Sequence, residues 1–166
     1  GKRSQLGRSI LKIVNKKSSS QFVFVGREEL NLNSENTINY FFDNNERFDV
    51  IVNCAAYTAV ERAEEEVELA NQVNNLAVKQ LALIAKEQNT KLIHISTDFV
   101  FDGESERPYI EKDLPRPINT YGKTKYSGEI AIQKIMRTDA LIIRTSWLYS
   151  EYGTNFVKTM QMLCKE

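Results

Sequence analysis

Along the chain, short runs of β-branched and aromatic residues alternate with longer segments whose apolar positions recur every three or four residues. Four runs read as strands, at 22–25, 50–52, 92–96 and 141–145. Each is almost continuously apolar, the pattern of a strand covered on both faces in a parallel sheet. Helical period marks 5–14, 37–45, 60–88 (with a break near its start), 121–136 and 155–164. In the third of these, Leu69, Val73, Leu76, Ala77, Leu81, Ile84 and Ala85 form one apolar stripe between charged positions, a helix face built to lie on a sheet. Strand–helix alternation of this kind predicts an α/β fold with a doubly wound parallel sheet. The one long irregular stretch, 101–120, holds all three prolines and Gly103. A connection of that length is more often functional than idle.

Composition narrows the partners. The 166 residues carry 22 Lys+Arg and 22 Asp+Glu, a formal net charge of zero without a basic block, which argues against nucleic acid or a membrane surface. No apolar run approaches the ~20 residues of a membrane-spanning helix. Cys54 and Cys164 lack companions at metal-ligand spacing, so neither a disulfide scaffold nor a zinc site is expected, and a reducing cytoplasm fits. His94 lies in an apolar run and reads as a packed core residue. The acidic run 61–68 reads as a solvated helix face; a divalent ion at a subunit contact is the competing reading, and no metal ligands are assigned. The chain opens on Gly1 rather than Met and stops at Glu166 within a helical pattern, so a piece of a longer protein is expected.

Several clusters carry chemistry. Gly1-Lys2-Arg3-Ser4-Gln5-Leu6-Gly7 runs directly into a helix, and glycines at a helix N-terminus let backbone N–H groups approach a pyrophosphate. Ser4 stands where such a fingerprint has its middle glycine, which requires a backbone conformation open to other residues. The fingerprint also needs a strand before it. A short apolar strand preceding Gly1 is therefore expected, without which the sheet would have a central slot. Arg27, after the run 22–25, suits a ribose 2′-phosphate, where a carboxylate would suit a 2′-hydroxyl. The small residues of Asn53-Cys54-Ala55-Ala56-Tyr57-Thr58 leave room for a flat ligand at a strand's carboxyl end. Ser96-Thr97-Asp98 ends the next strand, and Tyr121 and Lys125 open a helix one turn apart on one face. An ammonium near a phenol favours the phenolate, and a neighbouring hydroxyl can bond a carbonyl oxygen as it becomes an alkoxide. With a nicotinamide as hydride source, this is a carbonyl-reduction set.

These stretches, together with Asp49 to Glu64, Pro117 to Glu129, Arg144-Thr145-Ser146-Trp147-Leu148-Tyr149 and Asn155-Phe156-Val157-Lys158-Thr159-Met160, resemble the extended short-chain dehydrogenases/reductases, and among them the dTDP-4-dehydrorhamnose reductase family. The resemblance implies a Rossmann-like unit over 1–150, with 151–166 beginning the connection to a C-terminal substrate domain that is largely absent. It implies NADPH, with NADH left open, and reduction at C4 of a dTDP-4-dehydro sugar to dTDP-L-rhamnose in the cytoplasm. A divalent metal and a homodimer are left open. Tyr121 would donate the proton. Lys125 would bind the nicotinamide ribose and lower the Tyr121 pKa, and Thr97 would orient the carbonyl. Ser4, Gln5, Leu6 and Gly7 would cradle the pyrophosphate, while Arg27, Asn31, Leu32, Ala55, Ala56, Tyr57 and Thr58 line the cofactor. Asp98 and Trp147 would touch the sugar nucleotide, with Trp147 as a packing aromatic the other reading. Asn74 would help hold the lysine through water. Residues 1–166 alone are expected not to turn over substrate. Two other readings stand beside this one. One is a non-catalytic NADP-binding regulatory subunit like the β subunit of methionine adenosyltransferase. The other is a sugar-nucleotide dehydratase or epimerase, disfavoured because Phe99 follows Asp98 where a second carboxylate would be needed.

Overall fold

A computed structural model describes residues 1–17 and 20–165. Three strands, β1 (Val50–Asn53), β2 (Lys91–Thr97) and β3 (Ala140–Thr145), form a parallel sheet in the order β1-β2-β3. Six α-helices are described: α1 (Gln5–Lys17), α2 (Glu35–Asp43), α3 (Val67–Asn71), α4 (Ala77–Glu87), α5 (Thr120–Met136) and α6 (Phe156–Leu163). None is long and apolar enough to cross a membrane. The expected α/β architecture with a parallel sheet is present, and its strand and helix bounds lie within a few residues of the sequence pattern.

Two apolar clusters hold one face of the sheet. Val78, Ala82 and Ala85 of α4 meet Leu92 of β2 and Ile132 and Met136 of α5. Ile38 and Phe42 of α2 pack with Val73, Ala77 and Leu81, which extends the core past β1. The long segment 60–88 is interrupted as expected. A 3-10 turn (Arg62–Glu64) precedes α3, and a π-helical turn (Gln72–Leu76) joins α3 to α4. The extra residue of a π-turn re-aims a side chain inside an otherwise regular helix, here Asn74, which is fully buried.

Two expectations fail. The run 22–25 joins no ladder; its Val25 carbonyl accepts instead from the Lys2 amide at 2.8 Å. A cleft of about 390 Å³ separates it from β1, with Val23 and Val25 on one wall and Val50 and Val52 on the other. A strand's N–H and C=O groups pair only with a neighbour about 4.8 Å away, and the cleft removes that neighbour. The sheet is also not covered on both faces among the described residues. Val50, Val52, Leu141 and Ile143 alternate with inward-facing positions and remain 41–54% exposed.

Candidate active site

The site is assembled at the carboxyl ends of the strands. At β2, Thr97 is buried and its Oγ1 donates to Asp98 Oδ1 at 3.1 Å while accepting from the Phe99 amide at 3.2 Å. The chain then turns through a 3-10 turn (Asp98–Val100). Helix α5 is positioned against that turn. Its N-cap Asn119 accepts from the Gly122 amide at 2.7 Å, satisfying a donor that the first turn leaves free. Gly122 comes so close that any Cβ there would run into the Phe99 carbonyl oxygen. Glu64 accepts from both the amide (2.8 Å) and the hydroxyl (2.7 Å) of Thr120, adding a carboxylate at the helix N-terminus. The acidic run is therefore more than a solvated face: Glu64 anchors α5, and Glu66 accepts from the Tyr57 hydroxyl at 2.7 Å and pairs with Arg62.

Tyr121 follows directly. Its ring meets Phe99 edge-on at 5.6 Å, and the Thr97 side chain beside its hydroxyl favours the phenolate. Burial pushes its pKa up, which outweighs the opposing effect of Thr97. Lys125 is 1% exposed, its Nζ donating to the Ile95 carbonyl at 2.7 Å and lying 3.1 Å from His94 Nε2. Desolvation lowers the lysine to about 8, opposed by Glu129. The expectation that Lys125 depresses the Tyr121 pKa is not met in this arrangement. The ammonium is turned into β2, and the phenol responds to its own burial.

Asn74 also behaves differently from expectation. Its Oδ1 accepts from the Tyr57 amide at 2.9 Å, and its Nδ2 donates to the Tyr57 carbonyl (3.0 Å) and Thr124 Oγ1 (3.2 Å). It clamps the turn after β1 to α5 one residue before Lys125. His94, read from sequence as a packed core residue, is fully buried yet polar-bonded through both ring nitrogens, to Asn53 and to Lys125. The signal that could have found it was a histidine two residues before a strand-end Ser-Thr pair.

At the other end of the crevice, Ser4 caps α1. Its Oγ accepts from the Gly7 amide at 3.0 Å and donates to the Gly1 carbonyl at 2.8 Å. Ser4 is absent from the residues with positive φ, so the turn tolerates a non-glycine there. Gly7 is the position without room: a Cβ would run into the Gly1 carbonyl oxygen. Ser4, Arg27, Asn31, Leu32, Ala55, Ala56 and Thr58 all line the cleft beside β1. Gln5 is drawn elsewhere, accepting through Oε1 from Ser150 and Asn155, both at 3.1 Å. Leu6 and Tyr57 are not among the residues lining that cleft, and Tyr57 packs instead with Ala63, Ala70 and Tyr121. Trp147 projects from the end of β3, 71% exposed, at a φ of +50° and edge-on to Phe156. A bulky residue held at positive φ is an outlier that its surroundings must impose. No three His, Cys, Asp or Glu side chains gather in a metal-holding group among the described residues.

The chain matches known proteins over its whole length. At 39% identity over 165 residues it is similar to the dTDP-4-dehydrorhamnose reductase of Aggregatibacter actinomycetemcomitans, covering 99% of this chain and 55% of that protein. A "dTDP-4-keto-6-deoxy-D-glucose reductase" of Streptomyces niveus is 36% identical over 163 residues, 98% of this chain and 56% of its own length. Among solved structures, dTDP-4-dehydrorhamnose reductase from Bacillus anthracis in complex with NADP superposes with a TM-score of 0.92 at 36% identity, covering 99% of this chain and 58% of that one. The chain thus spans little more than half the length of these relatives. Residues 1–166 match the model of the RmlD substrate binding domain, and the chain belongs to that family.

Proposed function

We propose that this chain is the cofactor-binding part of an NADPH-dependent reductase acting on the C4 ketone of a dTDP-4-dehydro sugar, dTDP-4-dehydro-L-rhamnose in the first instance. The observation that carries the reading is that Tyr121 is buried beside Thr97 at the end of β2, with Lys125 one helical turn on. The names of the relatives, one of them with NADP bound, point the same way.

The residues present fit the cofactor. The Gly1–Gly7 turn is a cradle that a Cβ at Gly7 would fill, and the first turn of α1 carries no acidic residue to repel a phosphate. Arg27 is exposed at the rim of the same cleft and makes no ion pair among the described residues. Ser96 Oγ, at the strand end, is buried without a hydrogen-bond partner among them. NADPH, when bound, supplies the hydride. The protein's part is proton delivery and orientation. Burial keeps the Tyr121 phenol protonated at neutral pH, so it can give that proton to the developing alkoxide oxygen. Thr97, on turning its hydroxyl from Asp98, can donate to the carbonyl oxygen as it becomes an alkoxide. Asp98 and Trp147, both exposed at the same edge, are assigned to the sugar nucleotide. Residues 1–150 are assigned as the cofactor unit and 151–166 as the start of a connection, latched to α1 through Gln5.

The test is NADPH oxidation with dTDP-4-dehydro-L-rhamnose by the full-length protein, repeated with Tyr121→Phe. Turnover should fall by about 10²–10⁴ with cofactor affinity nearly unchanged. Equal rates would remove Tyr121 from the mechanism.

A further inference from the structure

Asn53, at the end of β1, and His94, in the middle of β2, are ladder partners, and their side chains meet on the face that α5 covers. Both are buried, His94 completely. The bonds that run through them have a direction. Asn53 Oδ1 accepts from the Ala55 amide at 3.0 Å, which leaves Nδ2, a donor only, 3.1 Å from His94 Nδ1. A neutral imidazole bonded in this way carries its hydrogen on Nε2. That nitrogen lies 3.1 Å from Lys125 Nζ, which already donates to the Ile95 carbonyl. An Nε2–H aimed at Nζ needs a lone pair there, so this polarity suits the uncharged amine.

A charged Lys125 requires the reverse. The ammonium then donates to Nε2, the imidazole hydrogen moves to Nδ1, and Asn53 must turn its oxygen toward the ring. Oδ1 then leaves the Ala55 amide from which it accepts. The extra proton on Nζ comes from solvent and returns to it. Among the described residues no other group balances the chain: Glu129 on α5 faces Lys125 but is paired with Arg144 of β3, Glu64 sits at the far N-terminal end of α5, and the π-turn contributes only the uncharged Asn74.

We propose that Asn53 and His94 are positioning residues whose hydrogen-bond polarity couples the proton on Lys125 to the Ala55 turn. Protonation at one end of the crevice thereby loosens or ties the backbone that lines its other end. The functional consequence rests on the reading of Lys125 as an active-site group; the coupling itself does not.

His94 is the only histidine in the chain, so its ring nitrogens can be observed by ¹⁵N NMR without assignment. The chain, labelled with ¹⁵N-histidine and ¹³Cε-lysine, is titrated between pH 6 and 10. The expected result is Nδ1–H at low pH and Nε2–H at high pH, with the tautomer midpoint equal to that of Lys125. Lys125→Met should lock the Nε2–H form throughout. Asn53→Asp, which offers acceptors only, should lock Nδ1–H and raise the Lys125 midpoint by about one unit. A single tautomer at every pH in the unaltered chain overturns the proposal, as does a switch that survives Lys125→Met. A reductase assay that fails leaves these outcomes untouched, so the two readings are tested separately.

Discussion

The carboxylate of Glu129, fully buried on α5, is gripped by the Arg144 guanidinium of β3, with Nε at 3.1 Å from Oε1 and a terminal nitrogen at 2.7 Å from Oε2. Arg144 also lies over the Phe101 ring, 5.0 Å from its centroid, where the irregular segment begins. The pair ties helix, strand and loop together one turn beyond Lys125. Breaking it from one side costs more than removing it, because a lone charge stays in the interior. Arg144→Met should lower unfolding free energy by about 3–5 kcal/mol. Adding Glu129→Leu should restore most of the loss, as read from urea unfolding of the single and double variants.

Lys125 should weaken the fold it serves. Its pKa falls from 10.5 to about 8, so the folded state pays for holding that charge. Below about 8 both states bind the proton and the penalty is fully present. Between about 8 and 10.5 the unfolded chain binds more protons, so stability rises with pH. Lys125→Met should therefore stabilise the chain by about 3 kcal/mol at pH 7, with no gain above pH 11. Thermal unfolding of both forms across that range measures it. Unequal slopes above pH 8 are the expected signature, and a destabilised variant at pH 7 would count against the desolvation account.

His94 should set the upper part of the acid limb. Burial, then the charge on Lys125, lowers its pKa from 6.5 to about 3. The unfolded chain takes up a proton below pH 6.5 that the folded chain refuses until about pH 3. Stability should thus fall as pH drops through that window, by up to about 5 kcal/mol. Carboxylates with lowered pKa values, such as Glu64 and Glu66, start from 4.5 and contribute only beneath it. His94→Gln should flatten the curve between pH 6.5 and 4.5 while leaving the steeper fall below.

What could be read in the sequence was whatever depends on neighbours along the chain. The apolar runs at 50–52, 92–96 and 141–145 and the stripe from Leu69 to Ala85 located strands and helices within a few residues. Tyr121 and Lys125 at one-turn spacing marked the site. Features that depend on register or on distant partners were hidden. Asn53 and His94, 41 positions apart, become neighbours only through the β1–β2 pairing. Arg144 looked like the polar end of an apolar run until Glu129 faced it across α5 and β3. The run 22–25 had the composition of a strand, but composition does not supply the neighbour that a ladder requires. The π-turn at Asn74 leaves the apolar period almost unchanged, so nothing in the spacing announced it.

Gly122 tests whether the Tyr121–Thr97 contact is set by the backbone. A Cβ at this position would collide with the Phe99 carbonyl oxygen, part of a turn fixed by Thr97 and by the buried Val100. Neither partner is the free end of a flexible side chain, so the first turn of α5 must move away from β2. Tyr121 is the adjacent residue and moves with it, separating its hydroxyl from Thr97. A displacement near 1 Å at reacting groups costs about 10²-fold in rate. Gly122→Ala in the full-length protein should therefore lower kcat by about that factor, while NADPH affinity, which the proposed function assigns to the Gly1–Gly7 turn, changes little. Combined with Tyr121→Phe it should add almost nothing, since the second change removes the group that the first displaces. A full multiplicative loss in the double variant would mean that Gly122 acts on some other part of the site.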